Sequence, residues 1–183
     1  VKQQKFMSKK DIIIAVPRGR ILQECKKILS KTKFSPDPKL YDENSRKLTF
    51  PSSDPKINFI KVRAFDVCTF VAFGAAHIGI AGDDVVQEFN YSEVYAPLNL
   101  NIGHCRLSVA APKVLVKKED PKTWSNIRIA TKYSNLAKDF YADKGIQVEV
   151  IKLNGSMELA PSLYMCGRIV DLVSTGKTLR ENG

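Results

Sequence analysis

The chain has 183 residues, a length that suits one large domain or two small lobes. Its hydrophobic fraction of 44% and charged fraction of 26% are those of an ordinary globular protein, and no apolar run approaches the roughly 20 residues needed to cross a bilayer. The formal net charge of +10 favours anionic partners. Because no dense Arg/Lys block is interleaved with aromatic residues, nucleic acid and membrane are both disfavoured as partners.

Four cysteines are widely spaced, form no CxxC pair, and are accompanied by only two histidines. This pattern predicts reduced thiols in a cytoplasmic protein and no structural zinc site. The stretch 1–10 is basic, and the apolar stretch after it is too short for the core of a signal peptide. Residues before Met7 are predicted to be a tag or a loose tail.

The first half of the chain predicts alternating strands and helices. The run 11–16 is β-branched and continuous, as in a buried parallel strand. After a turn at 17–20, apolar residues recur at helical spacing through Leu29. Asp66 is predicted to cap a later helix. The remaining signals in this half are a strand at 57–63, a helix at 66–73, a short strand at 77–82 and a helix from 83.

The second half continues the same alternation. A helix capped by Ser134 is predicted, with four apolar residues facing inward (Leu136, Ala137, Phe140 and Tyr141) and a terminating glycine at Gly145. Strands are predicted at 105–112, 127–133, 148–153 and 168–173, with a helix beginning between 156 and 161. The stretch 90–103 has a weak helical pattern and is interpreted as the passage between two α/β lobes, placed at 1–94 and 95–183. Such alternation predicts mostly parallel sheets with ligands at the carboxyl ends of the strands.

The closing stretch DLVSTGKTLRENG, residues 171–183, resembles half of a phosphate-binding loop. The first glycine of a nucleotide-triphosphate loop is absent, because Asp171 occupies its position inside the strand. Backbone N–H groups of a turn between a strand and a helix can still bind an anion, and Gly176 permits close approach. From these residues alone, a phosphate site and a plain strand-to-helix turn remain equal alternatives. The candidate phosphate ligands are Ser174, Thr175, Gly176, Lys177 and Thr178.

Several longer motifs carry a resemblance to a known family. They are IAVPRGRIL (14–22), SRKLTFP (45–51), RAFDVCTFVAFGAAHIGIAGDDVV (63–86), RIATKY (128–133), VIKLNGSMELAP (150–161) and IVDLVSTGKTLRENG (169–183). In this order they resemble the short form of ATP phosphoribosyltransferase, the enzyme that opens histidine biosynthesis. The resemblance implies an α/β fold of two lobes with mixed, mostly parallel sheets, like the type II periplasmic binding proteins, with the active site in the interlobe cleft. It also implies a strand and helix beyond Gly183 that return to the first lobe.

The resemblance implies a glycosyltransferase, of the phosphoribosyltransferase class. Adenine N1 of ATP would attack the anomeric carbon of phosphoribosyl pyrophosphate, and pyrophosphate would leave with Mg²⁺. The implied protein partners are a regulatory subunit resembling histidyl-tRNA synthetase and, for the chain alone, a second copy in a homodimer.

The resemblance also assigns roles to single residues. Arg20 and Arg46 match the arginines that contact pyrophosphate, and guanidinium groups suit phosphate oxygens. Arg18 stands where lysine is common and is a further candidate. Asp171 and the loop 174–178 would bind the ribose and the 5-phosphate. Glu158 is left with two alternatives, a contact to ribose or metal and a helix-capping carboxylate.

Three other functions remain as alternatives. A two-lobe solute-binding protein without catalysis would share the architecture. A nucleic-acid-binding protein is suggested only by the charge. A type I phosphoribosyltransferase for another base would carry two adjacent acids before the loop, where this chain has Asp171 alone.

Overall fold

The computed structural model describes residues 11–183, so the basic stretch 1–10 and the predicted tail lie outside the described residues. The chain divides into two compact units; the first ends at Gly103 and the second begins at His104. This division and the predicted lobe boundary at 94–95 both fall in the segment 90–105, which contains no helix or strand. Within the described part of the chain, no helix has the length and apolar character needed to span a membrane.

Unit 1 is built on a four-stranded sheet in the order β2-β3-β1-β4. The first strand pairs in parallel with β3 and β4, whereas β2 runs antiparallel to β3. Short 3₁₀ helices at Pro38–Tyr41 and Ala64–Asp66 complete the connections. The elements are β1 (Ile12–Pro17), α1 (Arg20–Leu29), β2 (Thr49–Pro51), β3 (Ile57–Val62), α2 (Val67–Ala72), β4 (Ile78–Gly79) and α3 (Asp83–Phe89).

Helices and loops cover both faces of this sheet. On one face, α1 buries Leu22, Cys25 and Leu29 against β1 and β3. On the other face, Val67 of α2 packs with Ala15 of β1 and with Ile60 of β3. Burial on both faces explains why β1 is a continuous apolar run rather than an alternating one.

Unit 2 contains a second four-stranded sheet in the order β5-β8-β6-β7. The strands β6, β7 and β8 are parallel, and β5 lies antiparallel on β8 at the edge. The sheets are therefore mixed and mostly parallel, as predicted. The elements are β5 (Arg106–Ala110), α4 (Lys113–Val116), β6 (Asn126–Thr131), α5 (Ser134–Ala142), β7 (Gln147–Lys152), α6 (Leu159–Ser162), β8 (Arg168–Val173) and α7 (Lys177–Glu181).

The predicted inward face of α5 is partly wrong. Ala137 and Tyr141 are buried against the sheet, but Phe140 is 48% exposed. Neighbouring residues point about 100° apart on a helix, so with Ala137 and Tyr141 at the centre of the buried face, Phe140 lies at its margin. Phe140 instead packs edge-on against Tyr141, and Lys144 Nζ lies 4.7 Å from its ring centroid.

Two predicted helix caps also differ from the structure. Asp66 forms no side-chain capping hydrogen bond at the start of α2. The N-cap of α5 is Tyr133 rather than Ser134, because the Tyr133 N–H is bound by the Thr131 hydroxyl and its carbonyl accepts from the Ala137 N–H. The chain therefore enters the helix one residue earlier than the serine signal indicates.

Candidate active site

The turn between β1 and α1 brings two arginines to the carboxyl edge of the first sheet. Arg18 and Arg20 are both exposed, and Gly19 between them has φ 87° and ψ −149°. Only glycine adopts this conformation readily, so the turn depends on it. The Arg18 N–H donates to the Val62 carbonyl at 3.0 Å, which fixes the turn to the end of β3.

Positive charge at this position is unfavourable for the helix itself. Arg20 is the first residue of α1, and no acidic residue lies in the first turn to balance the positive end of the helix dipole. The carboxylate of Glu24, one turn later, lies 3.6 Å from the Arg20 guanidinium, with both side chains well exposed. The start of α1 therefore offers the backbone N–H groups of a helix N-terminus together with guanidinium groups, an arrangement suited to an anion.

The segment 42–48 lies at the same edge, because Thr49 at the start of β2 pairs antiparallel with Ile60 near the end of β3. Arg46 is exposed in this segment. A small cavity of about 70 Å³ lies between the segment and the β1–α1 turn. Its polar lining includes Arg18, Gln23, Asp42, Glu43, Ser45 and Lys61. The structure thus brings Arg18 beside the residues that immediately precede Arg46.

Lys61 is a residue of this edge that sequence reasoning missed. It is only 4% exposed, and its Nζ donates to the carbonyls of Leu40 at 3.0 Å and Asp42 at 2.9 Å. Burial and the nearby Arg18 lower the pKa of Lys61, while Asp42 and Glu43 act in the opposite direction. The only signal in the sequence is a lysine that interrupts the apolar strand INFIKV.

The final loop lies at the carboxyl edge of the second sheet. β8 ends at Val173, and Gly176 with φ 69° leads into the five-residue helix α7. The Thr175 hydroxyl accepts a hydrogen bond from the Lys177 N–H at 3.3 Å. Ser174, Thr175, Lys177 and Thr178 all have solvent-accessible side chains, so their polar groups can be reached by a ligand. The left-handed conformation at this position is one that glycine adopts without strain.

Asp171 lies in β8, where its electrostatic environment is set by two neighbouring connections. The pKa of its carboxyl is raised, chiefly by burial and further by the negative charge of Glu158. The hydrogen bond from the Leu172 N–H at 2.8 Å and the positive charge of Lys132 act in the opposite direction. Glu158 follows β7, and Lys132 follows β6. The structure therefore groups three charged residues, one from β8 and two from the connections after β6 and β7, and Lys132 is absent from the sequence prediction.

This grouping coincides with the topological switch of the second sheet. From β6 the chain passes to β7 on one side and then to β8 on the other. Ligands in open α/β sheets bind at such switch points. The buried Thr131 hydroxyl donates to the Val170 carbonyl at 2.7 Å and accepts from the Tyr133 N–H at 2.9 Å. It fixes the end of β6 against β8 beside Asp171.

The two alternatives for Glu158 are not equally supported. The residue occupies the N-cap position of α6, but its side chain forms no capping hydrogen bond. Its carboxylate is half-buried and interacts electrostatically with Asp171. The structure therefore shows no hydrogen bond that would support the capping alternative.

Among residues 11–183, no group of three or more His, Cys, Asp or Glu side chains is placed to hold a metal ion. Asp171 and Glu158 are two carboxylates that interact electrostatically at this edge.

The site residues thus form two sets, each at the carboxyl edge of a mostly parallel sheet. The first set is basic, and the second combines a glycine turn with two carboxylates and a lysine. Exposed cationic side chains and the backbone N–H groups of a glycine turn or helix start are groups that bind anions in α/β proteins.

Comparison with known proteins gives the family. The model of the ATP phosphoribosyltransferase family matches residues 63–183. An ATP phosphoribosyltransferase of Rhodospirillum rubrum is 56% identical over 172 residues, covering 94% of this chain and 76% of that protein. One from Paramagnetospirillum magneticum is 55% identical over 178 residues, covering 97% and 81%. The solved ATP phosphoribosyl transferase (HisG:HisZ) complex from Thermotoga maritima is similar at TM-score 0.74 and 32% identity, covering 93% of this chain and 78% of that one.

The chain belongs to the ATP phosphoribosyltransferase family. The resemblance derived from the sequence motifs is confirmed, and so is the predicted α/β fold with mixed sheets. The relatives favour an enzyme over a solute-binding protein without catalysis.

Proposed function

We propose that this chain transfers the phosphoribosyl group of phosphoribosyl pyrophosphate to N1 of the adenine of ATP and releases pyrophosphate, the first step of histidine biosynthesis. The observation that carries this proposal is the 56% identity to a transferase of the family over 94% of the chain. The accessible anion-binding groups at both sheet edges agree with two substrates that carry several phosphates.

The loop after β8 binds the 5-phosphate in this proposal. Thr175 and Thr178 supply hydroxyl donors, Lys177 supplies charge, and the backbone at Gly176 allows close contact because no side chain intervenes. The accessibility of these groups and the left-handed turn at Gly176 support this role. Ser174, at the start of the loop, adds a further hydroxyl.

Asp171 and Glu158 bind the ribose hydroxyls as hydrogen-bond acceptors. The raised pKa of Asp171 supports the assignment, because its largest cause is burial, and a carboxylate held in a partly desolvated place is typical of a functional site. The same two carboxylates are the proposed contacts to Mg²⁺. The metal, when bound with the substrate phosphates, neutralises charge on the departing pyrophosphate.

The transition state needs positive charge where pyrophosphate leaves. The bond from the anomeric carbon to the pyrophosphate oxygen breaks while the bond to adenine N1 forms, so the sugar gains oxocarbenium character and the pyrophosphate gains negative charge. We assign this stabilisation to Arg20 and Arg46, with Arg18 as a further phosphate contact. Guanidinium groups stay charged and bind phosphate oxygens through two parallel hydrogen bonds.

We also propose a regulatory subunit resembling histidyl-tRNA synthetase as partner, and a homodimer for the chain alone. The Thermotoga maritima relative, which was solved as a HisG:HisZ complex, supports a second kind of subunit. The cytoplasm is the proposed location, since all four cysteines are thiols rather than disulfides, as in a reducing compartment.

The experiment mixes the chain, with and without the regulatory partner, with ATP, phosphoribosyl pyrophosphate and Mg²⁺. We expect pyrophosphate release together with a phosphoribosyl-ATP product seen by mass spectrometry. A sample without ATP controls for simple hydrolysis, and one without the activated sugar controls for ATP breakdown. No product in either sample with both substrates present would refute the proposed function.

A further inference from the structure

Lys61 connects β3 to a segment that lies some twenty residues earlier in the chain. Its Nζ donates to the carbonyls of Leu40 and Asp42, and its backbone N–H donates to the Leu48 carbonyl at 2.8 Å. The ammonium also lies 5.0 Å from the centroid of the Phe50 ring. One residue therefore holds both ends of the segment 40–48.

The first two residues of this segment are held by the core, because Leu40 is buried and Tyr41 packs against the same cluster, whereas the rest of the segment lies outside the core. Its internal hydrogen bonds are local turns, such as the Ser45 N–H donating to the Asp42 carbonyl at 3.3 Å and the Lys47 N–H donating to the Ser45 hydroxyl at 3.3 Å. From helix α1, Gln23 donates to the Tyr41 carbonyl at 3.0 Å. The two hydrogen bonds from Lys61 Nζ differ from these because their donor is charged, and hydrogen bonds from a charged donor are stronger.

The segment carries Arg46 and lies beside Arg18. Both Lys61 and Arg18 line the small cavity next to Asp42, so the ammonium sits directly behind the exposed basic groups of this edge. A lysine buried to 4% exposure costs free energy of desolvation that an apolar residue would not. The two hydrogen bonds to Leu40 and Asp42 offset part of this cost, and they are lost if the side chain cannot donate.

We propose that Lys61 is a positioning residue for phosphoribosyl transfer: its ammonium fixes the segment 40–48 so that Arg46 is held in place for the departing pyrophosphate. This inference rests on the proposed function, because Arg46 matters only if the chain carries out that reaction. Lys61 acts through the segment in this proposal, because its Nζ donates to the carbonyls of Leu40 and Asp42.

The test compares Lys61→Met with Lys56→Met, the same substitution at an exposed lysine just before the same strand. Displacement of a catalytic group by about 1 Å can cost up to about 10²-fold in rate. We therefore expect kcat of Lys61→Met to fall by about tenfold or more, and that of Lys56→Met to remain at the wild-type value. Lys61→Arg, which keeps charged donors, is expected to retain most of the rate.

A double-mutant cycle separates positioning from general damage. If Lys61 acts through Arg46, then Lys61→Met should reduce kcat little further in an Arg46→Ala background. If the kcat loss of the double variant equals the product of the losses of the two single variants, the proposal is overturned. If the methionine variant does not fold, Lys61→Gln replaces it in the same double-mutant cycle, because glutamine supplies an uncharged amide donor.

Hydrogen exchange without substrate supplies an independent readout. Amides of the segment 40–48 should exchange about tenfold faster in Lys61→Met than in the wild type, while those of α5 in the other unit stay unchanged. If Lys61→Met turns over at the wild-type rate and the amides of this segment exchange as in the wild type, the role of Lys61 is refuted and the proposed function still stands. A wild-type chain without turnover would instead refute the proposed function, and the Lys61 role would fall with it.

Discussion

A pair of glycine substitutions separates the phosphate-binding role of the final loop from its backbone strain. Gly176 and Gly145 both have φ 69°, and both lie in the second unit. Gly145 follows the C-terminal end of α5, and a Cβ there would meet no atom within 4 Å. Alanine at either position must adopt the left-handed conformation, at a cost of about 1–2 kcal/mol. Both variants should therefore lose a similar amount of stability.

The size of the effects follows from the structure. A loss of about 1–2 kcal/mol lowers Tm by about 2–8 °C in a chain of this length. At Gly176 the added Cβ would also lie 3.3 Å from Arg180 Nη1 and 3.8 Å from a Val173 methyl group. In that place it blocks approach of a phosphate to the loop backbone. Losing one hydrogen bond to a charged group costs about 1.5–3 kcal/mol, so the KM for phosphoribosyl pyrophosphate should rise about tenfold to a hundredfold.

The assay measures Tm by thermal unfolding and KM by pyrophosphate release, with ATP saturating. Gly145→Ala should lower Tm and leave KM at the wild-type value, whereas Gly176→Ala should change both. Equal KM values for the two variants would refute the assignment of the 5-phosphate to this loop, because the two substitutions share the backbone strain and only the Cβ at position 176 would lie in the loop.

Three further predictions concern charge. Arg20→Ala and Arg46→Ala should each lower kcat by about 10²-fold, the typical cost of a lost donor to developing negative charge, with little change in Tm because both side chains are exposed. Asp171→Asn should bind phosphoribosyl pyrophosphate more weakly, yet be more stable than the wild type near neutral pH. Burial raises the pKa of Asp171, so its ionised form destabilises the fold at neutral pH. The difference in free energy of unfolding between Asp171→Asn and the wild type should therefore vanish below the ordinary pKa of 3.8, where both side chains are neutral. Chelation of divalent metal should abolish turnover, and added Mg²⁺ should restore it.

Each of these predictions has its own control. An arginine variant with a wild-type kcat removes that residue from the mechanism. Asp171→Asn keeps the oxygen that accepts the Leu172 N–H, so a loss of stability at neutral pH would contradict the inferred direction of the pKa shift. Turnover that persists after chelation would show that the substrate phosphates act without a divalent ion.

Much of the fold is local enough to be predicted from the sequence. β1 and β8 are recognisable as apolar runs, and the left-handed glycine of the final turn is visible as STGKT after a strand. Lys61 escapes prediction because its partners lie about twenty residues away and no local pattern links them. Thr131 escapes it for the same reason, since its acceptor on Val170 is 39 positions distant. Side chains that join distant segments have no periodic signature.

Two charged residues, one at each sheet edge, lie where the fold gains little from their charge. Arg20 lies at the positive end of a helix dipole, with only an exposed contact to Glu24, and Asp171 is a carboxylate whose pKa burial raises. A residue retained for packing should lower Tm when replaced by a neutral residue of similar shape. For Arg20 and Asp171 the electrostatics favour the opposite outcome, with Tm unchanged or higher and turnover lower. That combination is expected of a binding site whose charges are balanced by its ligand, as a bound phosphate would balance the arginine and bound hydroxyl groups or a cation would balance the carboxylate.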